Sequence, residues 1–345
     1  MFMSIKTGLK CLLQGALVAL ATVAYAGEEL VSDEMVLNAA QHRSAQAKGS
    51  LLDSATSVMN FQAKPMDGLA MSPEPKLADR LNLAMKQLGA DSHYSMQQRM
   101  DSMMGNLPPS GDSKQRIIGT DERQRIYDTR QTPYKAICRI EQRFPNGTNW
   151  IGTAEFVHPR VLLTNSHNVY NSSRGGWATQ MRVIPGRNGT QEPYGSQWAA
   201  RFACPPEWIN GQENNRDFDM AWIILPDRTL FNRIGFHFGY QTTDDTTLRT
   251  SKLNMSGYHG DKNGEQWFQY AGGNQVVYAS QFRHYLDTTG GSSGSPMWLY
   301  FSSNGQRRVV GVNCAESTGT TAYNVATRMT SRYFGWTQNF NTQYP

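Results

Sequence analysis

The chain has 345 residues, of which 39% are hydrophobic and 18% are charged, a composition that excludes an intrinsically disordered protein. Its formal net charge is +5 at pH 7. Lys and Arg are scattered singly among acidic residues, however, and no basic block of the kind that binds nucleic acid is present. We therefore expect a globular protein without a nucleic-acid partner.

The N-terminus has the pattern of a secretory signal peptide. Lys6 and Lys10 precede the apolar run Cys11–Ala21, and Ala24-Tyr-Ala26 forms an A-x-A cleavage signal. No later segment has the roughly 18 consecutive apolar residues that a membrane span needs. We expect residues 1–26 to be removed and the mature protein to be secreted, into the periplasm or the medium, without a membrane partner.

Residues 27–116 differ in composition from the rest of the chain, since they are rich in Ala, Met, Gln, Ser and Lys and contain no Trp. Their clearest helical pattern places four apolar residues on one stripe: Leu77, Leu81, Met85 and Leu88. A partly helical or disordered region and a propeptide are both compatible with this composition. Arg116-Ile117, which follows the exposed linker Leu107–Asp112, favours a propeptide that an activating protease removes.

The chain after Ile117 has the pattern of a β protein, and it contains all eight tryptophans. Short apolar runs with a period of two predict the following strands: Ala136–Ile140, Val161–Thr164, Met181–Ile184, Met220–Leu225, Gln275–Tyr278 and Arg308–Val312. Asn-Gly pairs between the runs predict turns. Only Met329–Phe340 favours a helix. We therefore expect an all-β, mostly antiparallel domain over residues 117–345, with a C-terminal helix.

Three cysteines remain after removal of the signal peptide, Cys138, Cys204 and Cys314. An odd number allows at most one disulfide, and we favour a bridge between Cys138 and Cys204. No spacing resembles a metal site, so we expect neither a metal nor a cofactor.

The stretch Gly291-Ser-Ser-Gly-Ser-Pro296 has the form of a loop that displays a nucleophilic serine. A glycine two residues before Ser293 lets the backbone turn its N–H toward a substrate, which selects Ser293 over Ser292 and Ser295. The amides of Gly291 and Ser293 then form an oxyanion hole. A flexible Gly/Ser linker is the alternative, but the loop runs into the strand-like segment that follows Pro296.

A serine nucleophile needs a general base and a carboxylate behind it. His167 lies just past a strand that we expect to be buried, at a strand end where functional side chains are commonly displayed. Asp219 directly precedes an apolar strand and is placed to hold an imidazole in one tautomer. Asp217 is the second candidate, and an exposed turn is the simpler interpretation of it. The other histidines that we considered are interpreted as surface or structural residues: His158, His237, His259 and His284.

The three motifs together resemble those of the chymotrypsin-type serine proteases, and more narrowly the bacterial glutamyl endopeptidase (V8-like) branch. They are Leu-Thr-Asn-x-His ending at His167, Asp-Met-Ala-x-Ile beginning at Asp219, and Thr-Thr-Gly-Gly-x-Ser-Gly-Ser-Pro around Ser293. The resemblance covers most of residues 117–340. It implies two six-stranded antiparallel β-barrels, over about 117–227 and 228–345, with the triad in the cleft between them. It also implies hydrolysis of protein or peptide substrates through an acyl-enzyme by a monomer.

The resemblance leaves the preferred substrate side chain open. Thr288 matches a threonine that helps to bind glutamate in that branch, but Asn313 replaces the expected histidine. Asp287 lies six residues before Ser293, which is the spacing of the carboxylate that selects Arg and Lys in trypsin. A preference at P1, the residue before the cleaved bond, for Glu or for Arg and Lys is therefore compatible with the sequence.

The chain departs from the family in three further positions. Asn168 and Trp150 stand where many relatives have a disulfide. Ser292 replaces the aspartate that pairs with a new N-terminus in trypsin-like zymogens, so that activating ion pair is excluded. In the V8-like branch, the terminal amine is expected near the specificity pocket instead. An inactive binding or adhesion protein with a protease fold is the alternative function, but no triad residue is missing.

Overall fold

The computed structural model describes residues 69–72, 117–316 and 322–345. The signal peptide and the helix expected around Leu77–Leu88 lie outside these described residues. Of the predicted propeptide, only Leu69–Ser72 is described.

The described residues form strands with the following bounds: β1 Ala70–Met71, β2 Gln124–Arg125, β3 Ile137–Arg143, β4 Asn149–His158, β5 Val161–Thr164, β6 Tyr170–Asn171, β7 Gly176–Trp177, β8 Gln180–Pro185, β9 Gln197–Trp198, β10 Arg201–Cys204, β11 Ala221–Ile224, β12 Gly239–Tyr240, β13 Lys252–Tyr258, β14 Gln266–Gly272, β15 Val276–Val277, β16 Gln281–His284, β17 Pro296–Phe301, β18 Gln306–Glu316 and β19 Asn324–Arg328.

The helices are shorter and lie between the strands or after them. The α-helices are α1 Ser166–Val169, α2 Pro206–Gly211, α3 Thr229–Ile234, α4 Asp245–Thr250 and α5 Ser331–Gln343. Three 3₁₀ helices span Tyr134–Ala136, Ser172–Arg174 and Gln212–Phe218. No helix within the described ranges is long and apolar enough to cross a membrane.

Two sheets carry the architecture. The N-terminal sheet has eight strands in the order β1-β10-β11-β5-β4-β3-β8-β9, and the C-terminal sheet has nine strands ordered β15-β16-β19-β18-β17-β13-β14-β2, with β12 paired to β18. All pairings in these sheets are antiparallel except that of β12 with β18. The prediction of a mostly antiparallel all-β fold with a C-terminal helix is confirmed. The strand orders describe open sheets with added edge strands rather than closed six-stranded barrels.

The hairpin between β3 and β4 shows how local sequence sets the pairing. Gly147 has a φ of +85°, a conformation that favours glycine, and the Asn146 side chain accepts a hydrogen bond from the Thr148 N–H at 3.1 Å. This turn puts Cys138 opposite Ala154 in the ladder. The predicted turn is therefore present, and it fixes the register between β3 and β4.

The hydrophobic core has two main clusters. The larger one fills the N-terminal sheet, continues into strands β13, β14, β17 and β18 of the C-terminal sheet, and extends to helix α5, where Tyr333, Trp336 and Phe340 surround Trp222. The second cluster lies in the C-terminal sheet around Phe282 and Leu299. Because Trp222 belongs to β11, helix α5 braces the strand that follows Asp219.

The predicted Cys138–Cys204 disulfide is wrong, since both thiols are free and buried. Cys138 lies on β3 and Cys204 on β10, and three other strands separate them in the sheet. Their backbones are therefore too far apart for the short reach of a disulfide.

Candidate active site

His167 and Asp219 meet at one edge of the N-terminal sheet. His167 lies in α1, directly after β5, and Asp219 lies just before β11; these strands are antiparallel neighbours that pair Thr164 with Ala221. The distance between His167 Nδ1 and Asp219 Oδ2 is 2.8 Å, and the His167 backbone N–H donates to Oδ1 at 3.0 Å. Because an ionised carboxylate only accepts hydrogen bonds, this contact places the imidazole proton on Nδ1 and leaves Nε2 as an acceptor.

The backbone of Asp219 is held from two sides. Asp219 is buried, and its backbone carbonyl accepts hydrogen bonds from Asn165 Nδ2 at 2.7 Å and from Thr327 Oγ1 at 3.1 Å. Asp217 is exposed, and its backbone carbonyl accepts a hydrogen bond from Tyr333. Of the two acids considered, the one that contacts His167 is therefore Asp219.

Ser293 reaches the same cleft from the C-terminal sheet. Its backbone carbonyl accepts hydrogen bonds from the Thr153 N–H at 2.8 Å and from Asn168 Nδ2 at 3.2 Å. Ser293, His167 and Asp219 all line one cleft. The structure thus brings together three residues that are separated by up to 126 positions in the sequence.

The loop before Ser293 has a geometry that only glycine fits at position 291. Gly291 has a φ of +98°, and a Cβ there would lie 2.8 Å from the Tyr258 carbonyl oxygen and 2.9 Å from Ile151 Cδ1. The loop also contains a hydrogen bond of its own, because the Ser292 N–H donates to the Thr289 carbonyl at 3.0 Å. The bend and the tight packing at Gly291 explain why the loop carries a glycine two residues before Ser293.

Asn168 has a bridging position that sequence reasoning missed. Its Nδ2 donates to Ser293 O and to Thr164 Oγ1, the latter at 3.0 Å, and its Oδ1 accepts from Gln142 Nε2 at 3.2 Å. Asn168 therefore ties the helix of His167 to the loop of Ser293. The sequence signals only the missing cysteine and not the amide contacts that replace it.

Asp287 does not face an open pocket. It is 1% exposed, and its carboxylate accepts hydrogen bonds from the backbone N–H of Ile118 at 2.7 Å and of Glu122 at 2.9 Å. Gln269 Nε2 donates to the same carboxylate at 3.1 Å. The spacing associated Asp287 with a preference for Arg and Lys. Its carboxylate is instead bonded by backbone N–H groups of residues 118 and 122 of the same chain.

The other two candidate pocket residues differ in their bonding. The side-chain amide of Asn313 donates to the Ser292 carbonyl at 3.1 Å, and its Oδ1 lies 3.2 Å from His284 Nε2. The buried Thr288 hydroxyl has no hydrogen-bond partner among the described residues. Asn313 thus supports the serine loop, whereas Thr288 keeps a polar group that a ligand could satisfy.

Two arginines line the cleft and were not singled out from the sequence. The guanidinium carbon of Arg174 lies 3.5 Å from the ring centroid of Trp150, and Arg216 lies between α2 and Asp219. Asp219 is the only acidic residue among the described residues that line this cleft, and it pairs with His167. The cleft is therefore basic.

Cys314 lies in the cleft wall as an unreactive thiol. Burial, with the negative charge of Asp219, raises the pKa of Cys314 to about 12. The thiol is consequently protonated at neutral pH and is not the thiolate form that acts as a nucleophile.

Comparisons with known proteins agree with this geometry, although no family model matches the chain. The glutamyl endopeptidase of Bacillus licheniformis is 33% identical over 225 residues, which cover 63% of this chain and 66% of that protein. A protein of Bacillus subtilis named extracellular metalloprotease is 29% identical over 273 residues, covering 77% of this chain and 80% of that one. A solved structure of a Glu endopeptidase in complex with MPD shares 26% identity with a TM-score of 0.56, over 66% of this chain and 100% of that one.

The fold and these relatives place the chain among the chymotrypsin-type serine endopeptidases. Within that class it is a homologue of the bacterial glutamyl endopeptidases, so the resemblance inferred from the motifs is confirmed. The matched part spans 66% of the length of the Bacillus licheniformis relative. No group of three or more His, Cys, Asp or Glu side chains is placed to hold a metal ion in the part of the chain that the structure describes.

Proposed function

We propose that the chain is a secreted serine endopeptidase in which Ser293 is the nucleophile, His167 the general base and then acid, and Asp219 its orienting partner. The observation that carries the proposal is the 2.8 Å contact between His167 Nδ1 and Asp219 Oδ2 in the cleft that Ser293 lines. This contact holds the imidazole in the tautomer that accepts a proton at Nε2.

The reaction follows from these positions. Nε2 of His167 takes the proton of Ser293 Oγ as the oxygen attacks the substrate carbonyl, and the N–H groups of Gly291 and Ser293 stabilise the oxyanion. The imidazolium then protonates the leaving amine, which departs and leaves an acyl-enzyme. A water molecule activated by the same imidazole hydrolyses the ester and restores Ser293.

We further propose a preference for acidic side chains. The basic alternative depended on Asp287, whose carboxylate holds backbone amides of the N-terminal segment. Arg174 and Arg216 make the cleft positive, and Thr288, which the family resemblance assigns to glutamate binding, keeps a buried hydroxyl without a partner among the described residues. A carboxylate is therefore the side chain that this surface complements.

We also propose that the protein is made as a precursor with three parts. Residues 1–26 are a signal peptide, residues 27–116 a propeptide, and cleavage at Arg116-Ile117 by an activating protease releases a monomeric domain. The composition of the N-terminal region, the basic residue before Ile117 and the extracellular relative support this order. The expected location is the periplasm or the medium, and the partners are protein or peptide substrates.

A fluorophosphonate probe tests the nucleophile directly. The processed protein should be labelled at Ser293, and Ser293→Ala should abolish both labelling and peptide hydrolysis. Ser295→Ala is the matched control in the same loop and should retain both. Absence of labelling in the wild type, under conditions in which a known serine protease reacts, would refute the enzyme assignment.

A peptide library that varies P1 tests the specificity. We expect Glu to be cleaved faster than the uncharged isostere Gln, and both faster than Lys. Arg216→Gln should reduce the ratio of kcat/KM for Glu to that for Gln, because it removes positive charge from the cleft. A wild-type preference for Lys or Arg would contradict the proposed acidic specificity while leaving the nucleophile intact.

A further inference from the structure

We propose that residues 118–123, the N-terminal clamp, position the loop 287–291 that leads into Ser293, with Asp287 and Arg123 as the two anchors. This inference rests on the proposed function, since it concerns the loop that carries the proposed oxyanion amides. It gives Asp287 a role in positioning rather than in selecting the substrate side chain.

The first anchor is the buried Asp287 carboxylate. Its two oxygens accept the backbone N–H groups of Ile118 and Glu122, so the chain between these residues wraps around the carboxylate. Gln269 adds a two-way contact, because its Nε2 donates to Asp287 Oδ2 at 3.1 Å and its Oε1 accepts the Asp287 N–H at 2.6 Å. Every described donor to this carboxylate is a neutral amide, and the position of Asp287 is defined from two directions.

The second anchor is the Arg123 guanidinium, whose side chain is 1% exposed. It forms ion pairs with Asp121 at 2.8 Å and with Asp261 at 2.7 Å, and it donates to Thr289 Oγ1 at 3.2 Å. Thr289 Oγ1 in turn donates to Asp261 Oδ1 at 2.6 Å. Burial opposes the charge of Arg123, but hydrogen bonds to Asp121 and Asp261 outweigh it and raise the pKa of the guanidinium.

Contacts hold three of the four residues that precede Gly291. Asp287 is held by the clamp, Thr289 by Arg123 and Asp261, and the Gly290 carbonyl by the Gly260 N–H at 2.6 Å. The next residue is Gly291, whose N–H is a proposed oxyanion donor. Because the loop is fixed immediately before that amide, small displacements of the clamp would be transmitted to the oxyanion hole, where misplacement is costly to the rate.

The clamp differs from the activating ion pair of trypsin-like zymogens in the atoms that it uses. It depends on the backbone N–H groups of Ile118 and Glu122 and on the Arg123 side chain, and not on a free terminal amine. Position 292 is a serine whose Oγ donates to the Thr289 carbonyl at 2.9 Å, so it cannot receive such an amine as an ion-pair partner. The reactivity of Ser293 toward a fluorophosphonate should therefore require residues 118–123 to be present and should tolerate a blocked α-amine.

The test compares Asp287→Asn with Asp128→Asn in the processed domain. Both remove one negative charge, but the Asp128 side chain is 40% exposed and bonds Arg130 and Gln131. We expect Asp287→Asn to lower kcat and the rate of fluorophosphonate labelling about 10- to 100-fold, with a KM within about threefold of the wild type and an unchanged P1 ranking. Asp128→Asn should change none of these values.

Each alternative outcome is informative. Retention of wild-type kcat in Asp287→Asn, or a selective loss of Lys and Arg substrates, would overturn the positioning role. A melting temperature that stays within a few degrees of the wild type would separate a positioning effect from unfolding, and Arg123→Gln provides a second variant if Asp287→Asn does not fold. Absence of labelling in the wild type would refute the proposed function itself, which is a different result.

A domain with Gly-Ser added before Ile117 tests the terminal amine. The extension moves the amine away while leaving the amides of residues 118 and 122 in the chain. We expect the rate of fluorophosphonate labelling, which reports the serine loop and not the specificity pocket, to stay within about twofold of that of the domain that begins at Ile117. A loss of labelling comparable to that of Asp287→Asn would show that the free amine, and not the clamp, controls the loop.

Discussion

At the scale of single residues, Glu155 is a carboxylic acid enclosed by the N-terminal sheet. It is fully buried, and neither of its oxygens has a hydrogen-bond partner among the described residues. Burial raises the pKa of Glu155 well above its usual value. The folded protein therefore keeps a proton that the unfolded chain releases above about pH 4.3, and the free energy of unfolding falls by about 1.4 kcal/mol per pH unit until the folded pKa is reached.

Replacing Glu155 by the uncharged isostere tests this effect. We expect Glu155→Gln to be more stable than its parent at pH 7 and similar to it at pH 4, in urea unfolding of the Ser293→Ala protein, which cannot digest itself. Glu141→Gln is the matched control, because Glu141 pairs with Arg139 at 2.9 Å and with Arg187 at 2.8 Å in the same sheet. Breaking that buried network should cost about 3–5 kcal/mol. Equal stability of Glu155→Gln and its parent at pH 7 would contradict the prediction.

The candidate site also shows which residue roles the sequence can reveal. His167 and Ser293 stand out because each lies in a short motif that its own chemistry requires. The bonding of Asp287 could not be predicted, because its partner Ile118 is 169 positions away and contributes a backbone N–H rather than a recognisable side chain. Arg174 was missed for a similar reason, since its role depends on stacking against Trp150 in the folded cleft.

At the scale of elements, β1 is a strand contributed by the predicted propeptide. It pairs antiparallel with β10, and Ser72 just beyond it donates its N–H to the Phe202 carbonyl and accepts the Phe202 N–H with Oγ, both at 2.9 Å. These bonds satisfy backbone groups at the edge of the sheet. After cleavage at Arg116, only such noncovalent contacts would hold the segment.

Substitutions at Ser72 measure the stability that this strand contributes to the precursor. Ser72→Ala removes the Oγ acceptor, and Ser72→Pro removes the N–H donor as well. We expect losses of about 1 and about 2 kcal/mol in urea unfolding of the full chain carrying Ser293→Ala. A domain that begins at Ile117 provides the baseline without the segment. Identical stability of Ser72→Pro and its parent would show that the strand does not contribute to the folded precursor.

The elements were predicted unevenly, and the reason is physical. Strand β5 matches its predicted bounds of Val161–Thr164, because a strand with buried residues along its whole length produces a continuous apolar run. Helix α1 was not predicted, since four residues are too few to show a helical period. Strand β2 consists of two residues that pair with β14 directly after the clamp, and two residues are too few to show a periodicity.

At the scale of the whole molecule, acid stability depends on histidines that are buried without charge. His259 and His284 are fully enclosed, and burial lowers the pKa of His259 to about 3 and that of His284 to about 4. Unfolded histidine has a pKa of about 6.5. Between these values the unfolded chain binds protons that the folded protein does not, so the free energy of unfolding decreases as the pH falls, by up to about 1.4 kcal/mol per pH unit for each histidine.

The histidines destabilise the fold as the pH falls, whereas Glu155 destabilises it as the pH rises. A histidine variant separates these two contributions to the free energy of unfolding. In the Ser293→Ala background, His284→Gln should unfold with about one proton less uptake near pH 5 than its parent, and its stability should change less between pH 6.5 and pH 4. Arg130→Gln, an exposed substitution, should leave both quantities unchanged. Calorimetric titration of proton uptake together with urea unfolding at several pH values measures them. A histidine held neutral by burial must take up its proton near pH 5 when the chain unfolds. If His284→Gln does not reduce the proton uptake there, another group causes the loss of stability at acidic pH.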